Sequence, residues 1–93
     1  SFDLTISFDT LEHISNPWLF CNHLVNVTKS GGYIYVATVF LWNYHPCPND
    51  YYRYSPDGLR ECFRGTRSEI IEYGWDEPDV SVYAFLRKMS YED

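Results

Sequence analysis

Residues 2–32, FDLTISFDTLEHISNPWLFCNHLVNVTKSGG, decide how this chain folds. Leu4, Ile6 and Phe8 alternate with Asp3, Thr5 and Ser7, the period of a strand with one strongly apolar face. An acidic turn follows from Asp9 to His13. Asn16 suits the N-cap of a helix, and Pro17 suits the first helical position because the amide it lacks would have no partner there. Trp18, Cys21, Leu24, Val25 and Thr28 recur at helical spacing and predict a face that packs on the sheet. Lys29-Ser30-Gly31-Gly32 predicts the helix stop. The aromatic and β-branched run from Tyr33 to Phe40 reads as a second strand, one without clean alternation, as expected of an interior strand covered on both faces. Strand, helix and strand make one βαβ unit, which implies a right-handed crossover and a parallel pair. Asp9, Glu12 and His13 then lie at the carboxyl end of the first strand, where open α/β sheets bind their ligands.

Beyond this unit the chain changes texture. Residues 41–54 are rich in Pro, Asn, Asp and aromatic side chains and predict a long ordered loop, a feature that in small domains is often functional. Ser55, Pro56 and Asp57 open a short helix whose apolar stripe is Leu59, Cys62 and Phe63 and whose end is Gly65. Two strand-like runs, Glu69 to Trp75 and Val80 to Arg87, are joined by Asp76 to Asp79 and read as a hairpin. No repeat or low-complexity tract divides the 93 residues, so one α/β domain piece is expected.

Composition narrows the partners. A formal charge of −6 and a pI near 4.8 leave no Lys/Arg cluster to displace counterions, which argues against nucleic acid and anionic lipid and for small molecules or protein. The high aromatic content, 19% with nine Tyr, argues for a packed piece over a disordered one. Cys21, Cys47 and Cys62 are odd in number and contain no C-x-x-C pair, so reduced thiols and a cytoplasmic setting are expected. No run approaches the ~20 apolar residues of a membrane span.

The order FDLTISFDTLEHISNPWLFCNHLVNVTKSGGYIYVAT strongly resembles the second half of class I S-adenosylmethionine-dependent methyltransferases of the type 11 group. The motifs that carry the likeness are Leu-Glu-His at 11–13, the helix start at Asn16-Pro17 and the turn Lys29 to Gly32. The segment YHPCPNDYYRYSPDGLRECF, within 40–63, continues it, and it weakens after Arg64. The resemblance implies a partial Rossmann-like methyltransferase fold: a parallel βαβ unit followed by an antiparallel hairpin at the sheet edge. It also implies a cofactor held mainly by a glycine-rich turn and an acidic residue in the other half of the domain. No G-x-G pattern occurs here, so residues 1–93 are expected to be the carboxyl-terminal half, inactive by itself.

The resemblance places Phe8 and Asp9 against the methionine part of S-adenosylmethionine; the plainer readings are a core Phe and an Asp that caps its turn. It places His13 at the crevice rim as a candidate base, since an imidazole titrates near neutrality. His13 could equally order the turn by bonding backbone or Glu12. Tyr44, His45, Tyr52 and Arg53 fall on the loop that would shape the acceptor site, although Arg53 could simply pair with Asp50. Asp9, Glu12 and His13 together offer a donor set for a divalent ion, a reading ranked below no metal. The expected function is methyl transfer from S-adenosylmethionine to a small-molecule acceptor. Two rivals stand beside it: a non-catalytic interaction module built on the same half-domain, and a divalent-metal enzyme using Asp9, Glu12 and His13.

Overall fold

In a computed structural model, which describes residues 1–90, the chain forms a four-stranded sheet with two helices on one face. Strand β1 (Phe2–Phe8) is followed by a 3-10 turn at Leu11–His13 and helix α1 (Pro17–Asn26), then by β2 (Thr28–Val39). Helix α2 (Pro56–Glu61) and the strands β3 (Ser68–Glu77) and β4 (Ser81–Lys88) complete the order. The sheet runs β1-β2-β4-β3; β1 and β2 are parallel, and β4 is antiparallel to both its neighbours. The expected βαβ unit and hairpin are therefore both present.

The helix ends follow from their caps. Asn16 Oδ1 accepts the Leu19 amide at 3.1 Å, with Pro17 inside the first turn. Ser55 Oγ accepts the Gly58 amide at 3.0 Å and starts α2 in the same way. Helix α1 ends at Asn26, earlier than Lys29 to Gly32 predict. Those four residues instead bulge from the start of β2: Phe2 pairs with Thr28 and Leu4 already pairs with Tyr33. Gly31 has φ 81, and a Cβ on Gly32 would stand 2.8 Å from the Asp3 carbonyl oxygen. The two glycines serve a bulge and a close backbone approach, not a helix cap. In the hairpin, the Val80 amide returns to the Glu77 oxygen across Pro78 and Asp79, whose φ is 61.

The core lies between the helices and one face of the sheet. Cys21 and Val25 of α1, with Leu59, Cys62 and Phe63 of α2 and its end, pack on Ile34, Val36, Val82, Ala84 and Leu86. Trp18, expected on the packing face, is 57% exposed, because Pro17, Cys21 and Val25 take the buried side of α1.

The apolar side of β1 is also not the covered one. Phe2, Leu4, Ile6 and Phe8 are 60, 55, 54 and 54% exposed, whereas Ser7 is 7% exposed and faces the helices. The same applies to β2, where Ile34, Val36 and Thr38 are buried and Tyr33 is exposed, so its two faces are not both covered. On the open face aromatic rings pack on one another across the strands: Tyr33 on Phe85 at 5.4 Å, Tyr35 on Tyr83 at 5.9 Å and Phe8 against Tyr35 at 5.5 Å. Among the described residues no helix is long and apolar enough to cross a membrane.

Candidate functional site

At the carboxyl ends of β1 and β2 the sheet opens into a cleft of about 390 Å³, lined by Phe8 and Asp9, by Ala37 and Val39, and by Trp42 and His45 of the following loop. The hairpin turn closes it with Asp76, Glu77, Val80 and Ser81, and Glu12 reaches it from the turn. Four carboxylates face one imidazole in this lining, so the cleft favours a cationic ligand.

The turn after β1 is shaped for this position. Asp9 has φ 50 while its amide still bonds the Ala37 oxygen at 3.0 Å, so the chain leaves the sheet abruptly. Thr10 Oγ1 donates to the Phe8 oxygen, and the His13 amide to the Thr10 oxygen. Leu11 and Glu12 are thereby turned inward, and both are fully buried.

Glu12 is the hub. Its Oε1 accepts from Thr38 Oγ1 at 2.8 Å, and its backbone oxygen accepts the Tyr51 and Tyr52 amides at 2.8 and 3.2 Å. A buried hydrogen bond to a charged group contributes about 1.5–3 kcal/mol, so Thr38 is a substantial anchor. His45 Nε2 lies 3.1 Å from Glu12 Oε2, and His13 Nε2 lies 3.8 Å from the same atom. The two imidazoles meet edge to face with centroids 4.7 Å apart. The Asn43 carbonyl beside Nδ1, followed by the Glu12 carboxylate, pushes the His45 pKa up.

Asp50 organises the loop that brings His45 in. Its oxygens receive Arg53 Nη1 at 2.5 Å and Nη2 at 2.8 Å, and the His45 amide at 2.8 Å. Those bonds, Arg53 foremost, hold the Asp50 carboxyl well below the usual carboxylate range. Arg53 Nη2 also donates to the Trp42 and Asn43 oxygens.

Of the residues singled out from the sequence, Phe8, Asp9 and His45 line the cleft, and His13 stands beside it against His45. Arg53 is engaged within the loop, Tyr52 donates its hydroxyl to the Ser15 oxygen, and Tyr44 is 75% exposed. Asp9 is separate from the group of potential ligating atoms, which joins His45 to Glu12 and His13. Sequence reasoning missed Thr38, Trp42, Asp76 and Glu77. Only Thr38 left a signal, as a polar residue on the covered face of an otherwise apolar strand.

A parallel βαβ unit, an antiparallel hairpin and an acidic cleft define an α/β domain whose cleft lies at the carboxyl ends of its parallel strands. Residues 1–36, which hold β1, its turn, α1 and the first part of β2, match the profile of a family described as a methyltransferase domain. No curated protein matches the chain.

Proposed function

We propose that this chain works as the carboxyl-terminal half of a Rossmann-like, S-adenosylmethionine-dependent methyltransferase domain that methylates a small-molecule acceptor. The observation that carries this reading is the coincidence of the family-matched segment with the cleft: Phe8, Asp9 and Glu12 all come from residues 1–36 and all line it. The uncovered apolar side of β1 supports it, since further strands and helices of such a domain would pair with β1 and cover that face.

The residues present fit one end of the cofactor. Carboxylates from Asp9, Glu12, Asp76 and Glu77 suit a sulfonium and an α-ammonium group, and the cleft's volume lies at the lower end of the roughly 300–1,000 Å³ of ligand sites. The adenosine end would be held elsewhere in the domain. When bound, S-adenosylmethionine supplies an activated methyl group, so the protein's task is alignment and exclusion of water. Phe8 and Asp9 would flank the methionine portion. Trp42 and Val39 would shield the reacting region, and Tyr44, Tyr52 and Arg53, with the rest of the 41–54 loop, would shape the acceptor side. The acceptor's proton would be handled at Glu12, His13 and His45. The acidic surface favours a metabolite over nucleic acid or membrane lipid as acceptor.

Calorimetric titration with S-adenosylmethionine and S-adenosylhomocysteine tests this. The product of the complete native reading frame should bind both, and the 93-residue chain alone neither. A complete product that binds neither would overturn the reading in favour of an interaction module.

A further inference from the structure

Two imidazoles converge on one buried carboxylate beside the cleft. A carbonyl oxygen only accepts, so His13 Nδ1, 2.6 Å from the Asn49 oxygen, and His45 Nδ1, 2.8 Å from the Asn43 oxygen, both carry hydrogen. In each neutral ring Nε2 is then a bare lone pair. Both Nε2 atoms face Glu12 Oε2, at 3.8 and 3.1 Å, while the other carboxylate oxygen is taken by Thr38. Among the described residues these imidazoles are the basic groups within ion-pair distance of Glu12. One proton would satisfy one ring. Two would put a pair of cations into rings 4.7 Å apart. A divalent cation satisfies all three donors at once.

We propose that Glu12, His13 and His45 form a binding site for a divalent transition-metal ion of the zinc type. Their ligating atoms lie within 4.8 Å of one another. A tetrahedral shell with bonds near 2.1 Å sets its donors about 3.4 Å apart, between the two separations measured to Glu12 Oε2. Two imidazoles with one carboxylate select zinc, iron, cobalt or nickel over magnesium or calcium. The Nδ1–H bonds to backbone carbonyls are the outer contacts that orient histidine ligands. Glu12 and His45 also line the cleft, so the remaining coordination position opens toward it. The proposal rests on this geometry, and a bound ion would occupy the same three side chains to which the methyltransferase reading gives the acceptor's proton.

Titration of the metal-stripped chain with Zn²⁺, and with Co²⁺ for its visible absorption, tests the proposal. One ion should bind per chain, and millimolar Mg²⁺ should not displace it. His13→Ala and His45→Ala, each checked for folding by circular dichroism, should weaken binding by more than the roughly 10–100-fold that loss of an outer contact causes. Asp9→Asn should bind as the parent does. Binding no tighter than that of the double histidine variant, displacement by Mg²⁺, or loss on Asp9→Asn would each overturn it. None of these readouts involves S-adenosylmethionine, so failure here and failure of the methyltransferase reading are distinguishable.

Discussion

At the scale of single residues, the loop after β2 depends on one carboxylate. Asp50 receives both Arg53 nitrogens and the His45 amide, which hold its carboxyl below the ordinary range. A group shifted in this direction contributes stability above its unfolded pKa of about 3.9, and that contribution is lost as pH falls through the lower folded value. Asp50→Asn should therefore be less stable than the parent at pH 7, and the gap should narrow below pH ~4. Urea unfolding of both proteins at pH 7 and pH 3 reads this directly; a gap of equal size at both would mean that Asp50 acts through packing alone. The pairing of Asp50 with Arg53 was legible in the sequence at a spacing of three. Its further bond to the His45 amide was not, because an irregular loop has no period from which to read a backbone contact.

At the scale of elements, the bulge at the start of β2 separates two glycines with different duties. Gly31 needs its positive φ, and a Cβ there would touch only Arg87 Nη1 at 3.9 Å, so Gly31→Ala should cost about 1–2 kcal/mol through backbone strain. A Cβ at Gly32 would meet two backbone oxygens and Thr28 Cγ2 within 2.9 Å, so Gly32→Ala should be the more damaging change, displacing the β1–β2 register at that end. Thermal unfolding of both variants checks the ranking, and equal losses would contradict it. The run Lys-Ser-Gly-Gly marked the boundary correctly to within a few residues. What it could not show is that Thr28 already pairs with Phe2, since that depends on a strand more than twenty residues away.

At the scale of the whole molecule, the sheet is covered on one face. The side chains of Phe2, Leu4, Ile6 and Phe8 form a half-exposed apolar row beside a strand edge that is unpaired among the described residues, the combination that promotes self-association. The chain by itself should associate with rising concentration in sedimentation velocity. Leu4→Lys with Ile6→Lys should suppress that association while leaving unfolding nearly unchanged, because neither side chain lies in the core. Association that persists in the double variant would place the adhesive surface elsewhere. In the proposed complete domain the same row would be interior, which would account for an alternation like that of a strand with a buried face.

The sequence by itself determined the elements: the alternating β1, the Asn16 and Ser55 caps, the short α2 and the hairpin. Each is written within a few residues by periodicity, capping or turn chemistry, and the Leu-Glu-His turn falls in the segment that matches the methyltransferase family. Tertiary structure alone decided which face of the sheet is covered and which residues meet at the cleft. His45 reaches Glu12 across 33 positions, Thr38 across 26, and Asp76 and Glu77 arrive from the far end of the hairpin. No local period encodes such meetings. They follow from the strand register and from a loop folded back on Glu12, where a buried carboxylate has to find its partners wherever the chain brings them.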